Sequence, residues 1–463
     1  MTISRRHFIK QSGAIALGFA GLYTLMGCTT HGANMHGQLT TGFGPLQSDP
    51  AGVFDLPDKF SYKIISRHGQ TMDDGLRVPH RPDGMATFPG ENDRTIIIRN
   101  HEVDWDSPLT EGPFGKDTAL YERFDKSKMY DTGTAEHQCM GGTSTMIFNT
   151  KTQKLESQYL SLIGTIRNCA GGPTPWNTWI SCEETVEKAH GPLNQDHGWV
   201  FEVPSSMSPL VADPVPIKSM GRFNHEAIAV DPESGIVYLT EDRHDSLLYR
   251  YIPEVRGKLL QGGKLQALVV KDRESLDTRN WEELLVERNR EMDVRWIDLE
   301  NIEAPEDDLR IRGFEAGAAR FARGEGMWYG DGQIYFACTN GGHNQKGQIF
   351  TYTPSEDEGT MQEMNNPGTL ELFVEPNDTT LIENADNLTV SPSGDLVVCE
   401  DGSGDQYLVG ITPEGQFYHV GRNAMSDSEL AGATFSPDGT TLFVNIQHEG
   451  LTLAITGPWQ QRA

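Results

Sequence analysis

A thiol, a pair of carboxylates and two adjacent glycines share one short stretch of this chain, Asn168-Cys169-Ala170-Gly171-Gly172-Pro173-Thr174-Pro175-Trp176-Asn177-Thr178-Trp179-Ile180-Ser181-Cys182-Glu183-Glu184. The glycines let backbone approach the Cys169 sulfur closely. Pro-Thr-Pro reads as a turn, and the Trp/Thr/Trp/Ile run after it has strand character. A soft thiolate and hard carboxylates brought together by one turn suit a metal centre. The competing reading is a buried, inert thiol below a surface acidic pair. Five other groups carry related residue types: Arg99-Asn100-His101-Glu102, Arg222-Phe223-Asn224-His225-Glu226, Arg323-Gly324-Glu325-Gly326, Asn384-Ala385-Asp386-Asn387 and Cys399-Glu400-Asp401-Gly402. Alone, each also reads as surface polar residues at a strand end.

Elements that could gather such scattered groups are legible in the turns. Asp231-Pro232-Glu233-Ser234-Gly235, Ser391-Pro392-Ser393-Gly394, Thr412-Pro413-Glu414-Gly415 and Ser436-Pro437-Asp438-Gly439 each lie between two short apolar runs. Proline presets the first turn position and glycine takes the positive φ, so each predicts a hairpin. Runs of about four to six residues bounded by Gly, Pro, Asn or Asp continue along the chain, the pattern of an all-β, many-stranded antiparallel fold. Strand, Pro-Gly turn and strand recurring irregularly predict a β-propeller. Its inner strands would converge on a channel where distant residues meet. The spacing does not fix the blade count; six is the expectation, with five or seven open and a β-sandwich pair as the other architecture. Helical patterns at residues 278–289 and 313–322 mark residues 272–323 as a helical insertion in a single domain spanning 51–463.

The chain has 463 residues, a net charge of −28 and a pI near 4.8. That charge argues against nucleic acid or an anionic membrane surface as partner. An anionic substrate would have to meet local positive charge. Beyond Cys28, five cysteines remain (Cys139, Cys169, Cys182, Cys338, Cys399) with no C-x-x-C pair, which excludes a zinc ribbon or thioredoxin motif.

The N-terminus carries a targeting pattern. Ser4-Arg5-Arg6-His7-Phe8-Ile9-Lys10 matches the twin-arginine export motif, and the apolar stretch from Ala14 to Met26 is too short for a permanent span. Leu25-Met26-Gly27-Cys28 resembles a lipoprotein processing box; lipidation at Cys28 and release of a free protein are both open. Residues 1–28 are read as the signal and 29–50, rich in Gly, Thr and Ser, as a flexible tether. The expected location is the periplasm or outer cell surface.

The Cys169 and Glu183-Glu184 stretch resembles the hallmark of the PhoX-type alkaline phosphatases, and the other groups follow in the same order. The closing Phe435-Ser436-Pro437-Asp438-Gly439-Thr440-Thr441-Leu442-Phe443-Val444-Asn445-Ile446-Gln447 is also similar to that family. The resemblance implies a six-bladed propeller that hydrolyses phosphate monoesters with two ferric irons and several calcium ions. It implies Cys169 as the thiolate on iron, with Glu226 and Glu325 as carboxylate ligands. Asn100, Glu102, Asp386 and Glu400 fall on the calcium side, and Arg323 faces the substrate phosphoryl group. His101 and His225 are implied as orienting groups or ligands. Arg323, Glu325 and Cys169 are the catalytic set. One departure is that the lysine expected close upstream of the cysteine motif is missing: the nearest is Lys154, and Arg167 adjoins the motif instead. The partner implied is a small phosphate monoester, with no nucleic acid, membrane contact only through Cys28, and a monomeric state. Two other readings use the same channel: a calcium propeller cleaving lactones or esters, and a non-catalytic binding propeller.

Overall fold

All four Pro-containing turns close hairpins. Gly235, Gly394, Gly415 and Gly439 take φ of 76°, 87°, 75° and 68°, and each donates its N–H back to the first turn residue at 2.8–2.9 Å. In the computed structural model, which describes residues 39–460, such hairpins extend into meanders around one channel. The twin-arginine segment, the apolar stretch and Cys28 lie outside the described residues.

Six inner strands line the channel: β1 (Pro82–Pro89), β2 (Asn168–Pro173), β3 (His225–Val230), β4 (Gly324–Gly330), β5 (Ala385–Val390) and β6 (Leu430–Phe435). Each packs against the next, and β6 packs against β1, so the ring closes. The all-β propeller expected from the turns is therefore the architecture found. The last meander is completed from the other end of the chain, where Ser61–Arg67 pairs with Leu451–Thr456. Met292–Asp298 bonds to Gly263–Val270 on one side and Thr369–Val374 on the other, joining two meanders into one nine-stranded sheet.

Apolar side chains fill the wedges between neighbouring meanders. Ala229, Tyr238, Met327 and Phe336 bridge the third and fourth, and Ala337, Ile349, Leu388 and Val398 the fourth and fifth. Strands covered on both faces show no alternation, which is why they read as continuous apolar runs.

Two expectations differ from the structure. From Leu39 onward the segment read as a tether is docked. Phe43 lies 5.0 Å from the Phe60 ring, 5.5 Å from Tyr418 and 5.8 Å from Trp459, and Leu46–Gln47 pairs with Phe54–Pro57. One half-buried aromatic packed on three rings outweighs a polar composition here. Residues 272–323 are also not a helical insertion. Asn280 and Asn289 take φ of 54° and 56°, and Asn280 Oδ1 accepts from the N–H groups of Leu285 and Val286 at 3.0 Å, which holds 280–286 as a loop. Helix there is confined to Leu309–Glu315, and the strand Met292–Asp298 lies in the same span.

A bulge recurs in every inner strand, where two residues stand opposite one on the neighbouring strand. Such bulges bend the strand and re-aim its side chains. The second bulged residue is small in most cases: Gly84, Ala170, Ala227, Gly326, Asn387 and Ala433. A Cβ on Gly84 would come within 2.6 Å of Ala170 Cα, and one on Gly326 within 2.6 Å of Asn387 Cα. Inner strands thus meet backbone to backbone. Gly326→Ala is expected to destabilise by about 1–3 kcal/mol, the usual scale for forcing bulk into a packed contact. A denaturant midpoint equal to that of the parent would show that β4 and β5 separate freely.

Candidate metal centre

Three tiers of residues surround the head of the channel, each repeated six times. The lead-in tier immediately precedes the inner strands: Arg81, Arg167, Asn224, Arg323, Asn384 and Glu429. Their carbonyls accept, in turn, the N–H groups of Glu102, Glu184, Asp242, Thr339, Asp401 and Gln447, at 2.9–3.3 Å. Those six, each just past the neighbouring strand, form the strand-end tier. The third tier is the first bulged residue: Asp83, Cys169, Glu226, Glu325, Asp386 and Gly432. Five of these six are metal-donor types.

The tiers enclose a cavity of about 170 Å³. Five donors of the bulge tier line it, with Glu102, Glu184, Asp242, Asp401 and Gln447 of the strand-end tier and Arg167, Arg323 and Glu429 of the lead-in tier. Nine carboxyl groups thus face two guanidinium groups. Donor atoms of Cys169, Glu184 and Glu226 all lie within 4.8 Å of one another, as do those of Glu226, Glu325 and Asp386 and those of Asp83, Glu102 and Glu429.

Burial and mutual repulsion push these acids upward. Asp83 rises to about 8, from desolvation first and then the Glu102 charge; Glu184 rises to about 8, from desolvation and again Glu102. Glu226, Glu325 and Asp386 are driven well above the carboxyl range by the same causes. Desolvation, then the charges of Asp83 and Glu226, hold the Cys169 thiol well above its ordinary value. Its Sγ lies 3.1 Å from Glu226 Oε1 and 3.7 Å from Asp83 Oδ1, while Glu226 Oε2 is buried with no hydrogen-bond partner. An orphaned carboxylate oxygen beside a crowded thiol fits a site built for cations. The arginines hold part of the charge. Arg323 forks onto Asp242 through Nε (2.7 Å) and Nη2 (3.0 Å) and reaches Glu325 at 2.8 Å. Arg167 contacts Glu184 at 2.8 Å and Glu102 at 3.3 Å, and its buried Nε has no partner.

Of the residues singled out from the sequence, Cys169, Glu226, Glu325, Asp386, Glu102 and Arg323 converge on this cavity. Asn100 does not. Its amide donates to the carbonyls of Ala170 (2.6 Å) and Cys169 (3.2 Å) and accepts from Trp179 and Ser181, both at 2.9 Å, so it braces the bulge that carries Cys169. Glu400 accepts from the N–H groups of Glu383 (2.7 Å) and Tyr407 (2.9 Å), away from the cavity. Successive side chains alternate at a strand end, so the inward residue is its neighbour Asp401. His101 is bonded between the His80 carbonyl (2.9 Å) and Ser144 Oγ (2.8 Å), and His225 lies on the Phe223 ring with Nε2 3.0 Å from the Gly221 carbonyl. Neither reaches the cavity.

Sequence reasoning missed Asp83, Asp242 and Glu429, and left Glu184 without a role. Two signals were available. Asp83-Gly84-Met85 repeats the pattern Glu325-Gly326-Met327. His101-Glu102, Glu183-Glu184, Glu241-Asp242 and Glu400-Asp401 all end a strand with an outward residue followed by an inward acid.

A second cluster, Asp131, Cys139 and His197, has metal-donor types but a different use. Asp131 already accepts four N–H donors, from Gly133, Gln195 and both the backbone and amide of Asn194, at 2.6–2.8 Å. A carboxylate has about four lone-pair sites, so none is left for an ion. Glu183, at 2.6 Å from His197 Nδ1, completes a buried clasp between the 131–139 and 183–197 segments.

The family model described as alkaline phosphatase PhoX matches residues 41–450. No curated protein matches the chain. Among solved structures, PhoX of Pseudomonas fluorescens in complex with vanadate, a transition state analogue, is similar with a TM-score of 0.63 at 18% identity, over 90% of this chain and 98% of that one. A gluconolactonase of Xanthomonas campestris gives a TM-score of 0.39 at 11% identity, over 90% and 98% of the two chains.

Metal removal has a pH signature. Between the ordinary carboxyl range near 4 and the value of about 8 reached by Asp83 and Glu184, the folded metal-free chain holds protons that the unfolded chain has released. Its stability is therefore expected to fall as pH rises through that window. Thermal melts of chelated protein between pH 5 and 8.5 should show Tm dropping by several degrees more than in metal-loaded protein. Parallel melts would mean that the carboxyl cluster needs no cation.

Proposed function

The chain belongs to the alkaline phosphatase PhoX family, and on that premise we propose that the cavity at the head of its channel is where its metal-dependent hydrolysis of phosphate monoesters takes place. The observation that carries this reading is the charge balance of the cavity, nine carboxyl groups and a thiol against two arginines. Cys169, Glu184 and Glu226 would hold an iron(III) ion, matched to a thiolate among carboxylates, and Glu226, Glu325 and Asp386 a second. Asp83, Glu102 and Glu429, all oxygen donors, would suit calcium. Bound cations supply there the charge neutralisation and Lewis acidity that a phosphoryl dianion requires.

The chain's own contribution is positioning. Arg323 is held permanently charged, chiefly by Glu325, and its planar fork matches two phosphoryl oxygens as well as it matches Asp242. Arg167 adds a donor through its unpartnered Nε. Gln447 bonds Asp83 (2.7 Å) and Glu102 (3.0 Å) and fixes both carboxylates. The buried cavity limits water around these groups, which strengthens each charge contact; a unit pair at 4 Å is worth about 4 kcal/mol at an effective dielectric near 20.

The Ser4–Lys10 motif supports export by the twin-arginine route to the periplasm or outer surface, with a lipid at Cys28 if the box is processed there. The ring of inner strands closes within one chain, and a monomer is part of this reading.

Hydrolysis of p-nitrophenyl phosphate by metal-loaded protein is expected to stop on chelation. Cys169→Ala should lose iron by elemental analysis together with at least about 100-fold of kcat, and Arg323→Gln about 100-fold of kcat/KM. Full activity in both variants would place the chemistry elsewhere.

A further inference from the structure

Three of the six lead-in residues are arginines, and their backbones are alike. Arg81, Arg167 and Arg323 take φ of 45°, 48° and 50°, and their carbonyls accept from Glu102, Glu184 and Thr339 at 2.9, 2.9 and 3.0 Å. Side chains at these positions leave the ring in equivalent directions. Arg167 and Arg323 end inside the cavity. Arg81 is as open as Arg167, each side chain being 39% exposed, but unlike Arg167 it makes no side-chain hydrogen bond among the described residues, and its nearest carboxylate is Glu111, with Oε2 3.8 Å from Nε. Its carbonyl holds the N–H of Glu102, a cavity residue, which ties Arg81 directly to the cavity wall.

The residue type is informative. A left-handed conformation strains most side chains, and asparagine tolerates it best after glycine. Asn384, the other lead-in residue with a left-handed backbone (φ 55°), is an asparagine. Arginine at position 81 is therefore not explained by its backbone, and no internal hydrogen bond uses its guanidinium.

We propose that Arg81 is a substrate-binding residue that takes phosphoryl oxygens of the monoester at the mouth of the cavity. This rests on the phosphatase reading of the site. In a chain of net charge −28, a dianion meets repulsion over most of the surface, and a cation at the mouth raises capture and holds the phosphate end inward. Arg81 thus stands in a collar with Arg167 and Arg323.

The test uses metal-loaded protein with p-nitrophenyl phosphate as substrate and inorganic phosphate as competitive inhibitor. Arg81→Asn keeps the backbone preference and removes the charge; Arg81→Lys keeps the charge and removes the fork. For Arg81→Asn, KM and the phosphate inhibition constant are expected to rise together by roughly five- to tenfold, the scale of one partly exposed charge-assisted hydrogen bond. Its kcat should stay within about twofold, and Arg81→Lys should fall between. Raising ionic strength should weaken phosphate binding more in the parent than in Arg81→Asn. Glu111→Gln separates a direct role from an indirect one, because it leaves Arg81 in place and frees it of its neighbour. An unchanged inhibition constant in Arg81→Asn, or the same loss in Glu111→Gln, would overturn the proposal. Should the parent prove inactive, titration calorimetry with inorganic phosphate still tests Arg81: equal affinity in parent and Arg81→Asn would overturn it, and weaker affinity would support it independently of catalysis.

Discussion

Mutual repulsion among buried carboxyl groups is the constraint on which the channel head depends. A single ionised acid in such surroundings would shift its pKa and neutralise. Here nine face one cavity, with two guanidinium groups to offset them. The arrangement persists at neutral pH only with protons or cations in it. The same crowding keeps Cys169 a thiol until positive charge arrives beside it. What looks like electrostatic frustration in the chain alone is a matched set of donors once ions are counted.

Convergence of so many side chains is a backbone property. Each meander contributes one lead-in residue, one bulged residue and one strand-end residue, tied by one recurring hydrogen bond. The bulge turns a donor toward the axis, and the small residue after it lets the neighbouring inner strand come close. Asn100 illustrates how a group behind the cavity serves this geometry: spent on the Cys169 and Ala170 carbonyls, it fixes the thiol's position without touching the cavity.

Much of this was legible in the chain before folding. The Pro-Gly turns gave away the hairpins, because proline and glycine act locally. Cys169, Glu226, Glu325, Asp386, Glu102 and Arg323 were visible because each lies beside a recognisable strand end. Glu400 was preferred to Asp401 because nothing local says which of two adjacent acids turns inward; the partner strand decides that. Asp83 hid because a lone Asp-Gly resembles any turn until it is laid beside Glu325-Gly326. The docking of Phe43 and the loop at 280–286 depend on tertiary partners, an aromatic shelf and an asparagine bridge, which composition and periodicity do not register.

The strand Ser61–Arg67 completes the meander of Leu451–Thr456, so two ends of the chain hold the ring shut. Nearly the whole sequence must be present before that pairing can form, which gives the closing step an unusually long reach along the chain. Contacts of that reach are the slow ones to form. Because β1 and β6 carry Asp83 and lead in from Glu429, the donor set is incomplete in any partly closed intermediate. A full set of ligands to receive ions therefore exists only once the ring is shut.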